Sequence, residues 1–338
     1  MRDIRDKLEE RQHLTAEEAA SLCRSFLGGE LDDVEIADLL VLLAEKGETA
    51  DEIVGFSEEL LQHAESIPFE EPTVDICGTG GSGLERFNIS TAIAFIVGCF
   101  GTPIAKHGNR GSRKANGSFD LLEALGIPID LGGEQVAQCL RRTGIGFIFA
   151  HRFHPVMGKV APARKIAKRR TVFNLAGPLS NPTQVDVQIV GTANRDMGPV
   201  LAEICLRLGR RRGYIVWGTP GIDDLSIAGE SLILEFSAAG TSEEIIVPDD
   251  LGLTAVDYRE LPGGDAVENA RIFNALVDGK DCGGMRSMVA LNAGLVLRGT
   301  GVAKTLEDGI RAALQTIDSG AMKRKFEEYR TVALSLVT

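Results

Sequence analysis

Apolar residues recur at helical spacing early in the chain, at Ile36, Leu39, Leu40 and Leu43 and again at Ile53, Phe56 and Leu60, giving each segment one face to bury. Capping-box patterns start these helices at Thr15 with Glu18, Asp32 with Glu35 and Thr49 with Glu52, and Gly28, Gly29 and Gly47 stand where C-terminal caps belong. From about residue 73 the period changes. Short β-type runs at 73–77, 103–106, 146–149, 186–191 and 213–217 alternate with helical stretches at about 89–100, 117–125, 133–142 and 196–209. Residues 225–248 read as an antiparallel β excursion, and 265–337 return to helices. The pattern predicts an α/β protein with a small all-helical N-terminal domain, 1–66, beside a large α/β domain, 73–338, built on a mainly parallel central sheet. Ligands of such sheets bind beyond the carboxyl ends of the strands.

Composition narrows the partners. The chain has 338 residues, 44% of them hydrophobic, and a formal net charge of -12. That balance argues against general nucleic-acid or anionic-membrane binding and favours small molecules. The six cysteines lack C-x-x-C spacing and sit mostly in apolar runs, which suits free thiols in a reducing cytoplasm. No secretory signal is expected, and no apolar stretch approaches the roughly 18 residues of a membrane span.

The densest glycine cluster is "DICGTGGSG", residues 75–83, directly after the first β run. Gly78, Gly80 and Gly83 satisfy G-x-G-x-x-G, yet no carboxylate follows about 20 positions on and the next helix begins only near Ser90, so the dinucleotide reading fails. A loop without side chains can still turn its amides toward an anion, and "NIST" (Asn88 to Thr91) adds an amide and two hydroxyls at the following helix start. A turn followed by a simple helix cap is the competing reading.

Three further clusters fall near the same sheet edge. "KHGNRGSRKANGSFD" gathers Lys106, His107, Asn109, Arg110, Arg113 and Lys114 in an acidic chain, which suits a phosphate-rich ligand better than a solvated loop. His107 and Asn109 can orient a neutral or carboxylate group. In "HRFHPVMGKVAPARK" and "RTVFNLAGPLSNP", Arg164 offers a fork for a carboxylate, Gly177 leaves bare backbone against which a flat ring can lie, and His154 is a packed histidine or part of the site. Asp223 and Asp224 in "GIDDLS" supply the oxygen ligands Mg²⁺ prefers, with a plain turn as the alternative.

In order and spacing, "DICGTGGSG", "FNIST", "AKHGNR", "GSFDLLEALG", "RTVFNLAGPLSNP" and "GGDAVENARIF" resemble the anthranilate phosphoribosyltransferase family, on the nucleoside phosphorylase/phosphoribosyltransferase fold, along nearly the whole chain. The resemblance implies transfer of the phosphoribosyl group of phosphoribosyl pyrophosphate (PRPP) to the amine of anthranilate, with release of pyrophosphate, in tryptophan biosynthesis. It implies a homodimer joined through a helical domain that also takes helices from about 155–185. By the same resemblance Gly78, Thr79, Gly80, Gly81, Asn88, Ser90, Thr91 and Lys106 would hold PRPP. Ser90, Asp223 and Asp224 would hold Mg²⁺, and His107, Asn109, His154, Arg164 and Gly177 would form the acceptor site, with His107 a candidate acid/base.

The chain departs from the family pattern in the donor region. Ser82, counted with the PRPP-binding residues, replaces an Asp of the loop, and Arg113 and Lys114, counted there too, replace two serines with cations that would tighten binding to the pyrophosphate, obstruct the site or mark a different ligand. Asp224 stands where the family normally has Glu. These changes leave three alternatives open: a phosphoribosyltransferase or nucleoside phosphorylase with a different aromatic or heterocyclic acceptor, or a non-catalytic nucleotide-binding relative.

Overall fold

The computed structural model describes residues 1–111, 114–280 and 282–337. Its N-terminal part is helical: α1 (Arg2–Glu9), α2 (Ala16–Gly28), α3 (Asp33–Lys46) and α4 (Ala50–Gln62). All three expected capping boxes form, with side chain and backbone satisfied in both directions. Gly29, at φ 78°, closes α2, so Gly28 is its last residue rather than its cap. Gly47 closes α3. α2 and α4 cross at Gly55, where a side chain would strike the Ala16 carbonyl.

The rest is built on one seven-stranded sheet, formed by β1 (Thr73–Gly78), β2 (Ile104–Gly108), β3 (Ile145–Phe149), β4 (Val185–Gly191), β5 (Arg212–Gly218), β6 (Ser231–Ser237) and β7 (Gly240–Ile246). The strand order is β3-β2-β1-β4-β5-β6-β7. β1 to β5 run parallel, and β6 and β7 form the expected antiparallel excursion. The first crossover helix, α5 (Ile89–Val97), begins ten residues after Thr79, which leaves the glycine loop free of helix as predicted.

Two buried hydrophobic clusters divide along the sheet. One holds α5 and the helices Gly133–Thr143, Ala266–Val277, Gly284–Gly299, Leu306–Asp318 and Ala321–Ser335. The other joins α1 to α4 with residues of the helices Met157–Ala167, Phe173–Leu179 and Gly198–Arg207 and with Cys77, Val190 and Ile215 of the sheet. Phe56 of α4 contacts Phe26 (ring centroids 6.0 Å apart) and Phe173 (5.3 Å), and Lys159 donates to the Leu27 carbonyl at 2.8 Å. The helical part therefore packs on the helices that carry Arg164 and Gly177. No helix of the described residues is long and apolar enough to cross a membrane.

Glu52 anchors this packing. Its buried carboxylate pairs with Lys46 at 2.8 Å and accepts the amides of Leu14 (2.8 Å) and Thr49 (2.9 Å). Breaking such a pair strands the other charge in the interior, so Glu52→Ala is expected to lower unfolding stability by about 3–5 kcal/mol in urea titration, and Lys46→Met with Glu52→Leu to recover only part of it, because the Leu14 and Thr49 amides lose their acceptor.

Candidate active site

The glycine loop leaves β1 with positive φ at Gly80 (65°), Gly81 (95°) and Gly83 (71°), conformations that disfavour side chains. The Thr79 amide extends the β1–β4 ladder to the Gly191 carbonyl at 2.9 Å. The next amide, Gly80 N–H, donates to Asp223 Oδ2 at 3.0 Å. Gly78 is required because a Cβ there would collide with the Asp223 carboxylate, and Gly191 because one there would strike the Asp223 backbone. Arg170 donates to the carbonyls of Thr79 (3.1 Å) and Gly80 (3.2 Å), so the acceptors of these two residues are taken by a cation while the Gly80 amide is held by Asp223.

At the far end of the loop, Asn88 does not cap α5. Its Nδ2 donates to the Asn116 carbonyl and its Oδ1 accepts from Asn269, both at 2.9 Å, tying together the loops after β1 and β2 and the helix Ala266–Val277. Ser90 is half-buried, and the buried Thr91 Oγ1 lacks a hydrogen-bond partner. Ser82 accepts the Leu84 amide at 3.4 Å, a local turn contact.

Asp223 is buried and salt-bridged to Arg86, whose Nη2 donates to Oδ2 at 3.0 Å. Arg86 also lies 3.6 Å from Asp224. Burial pushes the Asp224 carboxyl up to about 6, against the opposing pull of Arg86 and Lys106. Among the described residues no group of three His, Cys, Asp or Glu is placed to hold a metal. The two adjacent carboxylates of Asp223 and Asp224 still suit Mg²⁺, which takes one or two carboxylates and completes its shell with water and substrate phosphates. The raised Asp224 pKa fits too, since the surrounding cations do not yet offset its burial.

Lys106 is buried beneath β1, its Nζ donating to the Ile76 carbonyl at 3.1 Å. Burial lowers its pKa and the neighbouring Asp75 opposes the shift. Asp75, whose own pKa burial raises, accepts the His107 amide and Gln188 Nε2, both at 3.1 Å. The His107 ring is buried with Nε2 unpartnered, and it meets the His154 ring edge-to-face at 5.2 Å. Burial, then the charges of His154 and Lys106, hold His107 well below the usual histidine range. His154 passes the contact on, its Nε2 lying 2.8 Å from the Ser180 carbonyl just beyond the helix Phe173–Leu179.

Arg164 stacks 5.8 Å from the Phe173 ring centroid at the other end of that helix. It is partly buried, burial lowers its pKa, and no carboxylate among the described residues pairs with it. Space is open where a Gly177 side chain would be.

Several members of the basic cluster face elsewhere. Arg110 is bound to Asp120 (3.0 Å) and Glu123 (2.8 Å) and fastens the helix Ser118–Ala124. Asn109 is exposed and accepts the Arg110 amide at 2.8 Å. Lys114 pairs with Glu85, bridging the two loops. Arg113 lies outside the described residues. Arg86, Asp75, Arg170 and Asn269 were not anticipated. Only Arg86 carried a visible signal, a cation three residues past the last glycine of the loop.

The family model for the α/β domain of a glycosyl transferase family matches residues 70–323, and the model for that family's helical bundle domain matches 2–64. The chain is 39% identical to the anthranilate phosphoribosyltransferase of Geobacter sp. (strain M21), with 97% of each covered. It is 40% identical to that of Chloroflexus aggregans, over 96% of this chain and 95% of the relative. The anthranilate phosphoribosyltransferase of Thermus thermophilus superposes with a TM-score of 0.91 at 35% identity, covering 98% of this chain and 99% of that one. The Saccharomyces cerevisiae enzyme in complex with PRPP and Mg superposes at 0.86 and 25% identity, covering 94% and 93%.

Because the folded His107 pKa is depressed, the unfolded chain takes up a proton below about pH 6.5 that the folded chain refuses. Stability contributed by the neutral ring is therefore present above that pH and lost below it. Imidazole nitrogen NMR is expected to find His107 neutral at about pH 5.5, and His107→Gln to flatten part of the acid-side loss of stability.

Proposed function

The chain belongs to the anthranilate phosphoribosyltransferase family, and on that premise we propose that it transfers the phosphoribosyl group of PRPP to the amine of anthranilate, with pyrophosphate leaving. One observation carries the reading from this chain's own residues. Two anion receptors of different kinds, a glycine loop whose Gly80 amide already holds a carboxylate and a partly buried guanidinium that no carboxylate among the described residues pairs with, connect through the consecutive β2 residues Lys106 and His107. The first suits a diphosphate and the second an aromatic carboxylate.

On the donor side the amides of Gly80 and Gly81, the hydroxyls of Ser90 and Thr91, and Lys106 hold the phosphates, with Gly78 and Thr79 shaping the loop and Asn88 fixing its far end. Asp223, Asp224 and Ser90 hold Mg²⁺, which supplies positive charge against the departing pyrophosphate. On the acceptor side Arg164 takes the carboxylate, Gly177 leaves room for the ring, and His107 and His154 line the approach, while Asn109, exposed and holding the Arg110 amide, stands apart from them. The anomeric C–O bond breaks with its electron pair going to pyrophosphate, the C–N bond forms, and the amine's surplus proton passes to neutral His107. Positioning the amine opposite the leaving group and neutralising that group supply the rate enhancement.

The domain division 1–66 and 73–338, with helices from about 155–185 joining the first, belongs to the same proposal, supported by the shared hydrophobic cluster. So does a homodimer through that helical unit, on which Val34 and Ile166 are exposed. The thiols of Cys23, Cys77, Cys99, Cys139 and Cys205, none of them in a disulfide, support a reducing cytoplasm as the site of action.

The test is incubation with Mg²⁺ and PRPP against a panel of aromatic acids, amines and bases, following pyrophosphate and the phosphoribosylated product. Turnover with anthranilate is expected; turnover only with another acceptor, or only with orthophosphate and a nucleoside, overturns the reading. In the same assay Arg164→Ala is expected to raise KM for anthranilate about 10- to 100-fold while KM for PRPP stays within about twofold, and Arg164→Lys to fall between.

A further inference from the structure

We propose that Arg86 is a resident counter-cation of the Asp223–Asp224 pair, which it leaves for the donor's diphosphate as the pair takes up a divalent cation; this rests on the donor assignment above. Groups suited to charged ligands satisfy one another in the ligand-free protein. Gly80 N–H, a donor of the anion loop, has Asp223 as its anion. Asp223 and Asp224, suited to a cation, have Arg86 as theirs.

Only one party to this arrangement is free to move. Gly78 and Gly191 close around Asp223, so its carboxylate stays in place. The Arg86 backbone is held as well, its carbonyl accepting Asn269 Nδ2 at 3.2 Å and its Cα lying where a Gly263 side chain would be. The Arg86 side chain, however, is 27% exposed and has a long flexible stem, so rotation alone can carry the guanidinium off the pair.

Charge gives the direction of that rotation. The pair carries two negative charges when both carboxyls are ionised, faced by Arg86 and, more remotely, by Lys106. A dication held there would face both cations, and the diphosphate beside the Gly80 amide is the nearest place where a guanidinium gains a bidentate partner. Gly80 N–H and Arg86 then pass together from Asp223 to the diphosphate, and no charged group is left unpaired. Ser82 fits this exchange, since it places no carboxylate at that position to compete for Arg86, and the loop's Glu85 is already paired with Lys114. Metal alone then binds weakly, because it competes with Arg86, and metal and donor strengthen each other's binding.

The experiment measures Mn²⁺ binding by electron paramagnetic resonance, with PRPP absent, in the wild-type protein, Arg86→Gln and Arg86→Lys. PRPP binding in the presence of Mn²⁺ is then measured by calorimetry. Arg86→Gln is expected to bind Mn²⁺ about tenfold more tightly than wild type and PRPP about tenfold more weakly, with Arg86→Lys near wild type for Mn²⁺ and intermediate for PRPP, because an ammonium competes with the metal but cannot make the bidentate contact. Equal Mn²⁺ affinity in wild type and Arg86→Gln overturns the proposal. So does tighter Mn²⁺ binding with unchanged PRPP affinity, which removes the move to the diphosphate. A wild-type protein that does not bind PRPP at all overturns the donor assignment instead, and the Mn²⁺ comparison remains readable by itself. Matching circular dichroism and melting of Arg86→Lys and wild type serve as the folding control.

Discussion

The site is organised around one buried carboxylate, that of Asp223. A buried carboxylate must be paired and hydrogen-bonded or it is strongly destabilising. Its partners come from the loop after β1, as Gly80 N–H and the Arg86 guanidinium, while the backbone around it is the bare ends of β1 and β4 at Gly78 and Gly191. Satisfying Asp223 therefore fixes where the glycine loop runs and which way its amides face. Arg170 completes the orientation from the outer side by taking the Thr79 and Gly80 carbonyls. With its carbonyls on Arg170 and the Gly80 amide on a carboxylate, this part of the loop already holds an anion through its backbone.

A second buried network sits one layer below and sets the chemistry beside the loop. Asp75 holds the His107 amide and Gln188, and Arg210 Nε donates to Gln188 Oε1 at 3.1 Å, so the middles of β1 and β4 are tied to each other and to β2. Within this low-dielectric layer Lys106 keeps a carboxylate neighbour in Asp75, whereas His107 has only His154 and Lys106 beside it. Consecutive residues of one strand thus end as an amine held against the Ile76 carbonyl and an imidazole packed on His154. Alternation along a strand supplies that division without a loop to place either group.

The fold was legible because its signals are local. Capping boxes at Thr15, Asp32 and Thr49, the change of period at residue 73 and the helix start delayed to Asn88 all involve residues within one turn or strand of each other. The composition of the site was legible for the same reason, but its wiring was not. Asp223 and Arg86 are separated by 137 residues, so nothing local ties one to the other. The basic cluster after β2 read as a single ligand surface, yet Arg110 is spent on the helix Ser118–Ala124 and Lys114 on Glu85, because exposed cations take the nearest carboxylates. Lys106 lies beneath β1, a placement that follows from strand alternation but whose partner, the Ile76 carbonyl, depends on the β1–β2 register.

The central claim, that residues 78–91 form a diphosphate cradle closed on Asp223 until a ligand replaces it, is tested most directly by backbone hydrogen exchange with and without PRPP and Mg²⁺. Added protection concentrated in 78–91 and in the residues after β2 is the expected result, because those amides gain an anion partner and lose access to solvent. Protection confined to other parts of the sheet, with 78–91 unchanged, would contradict the account.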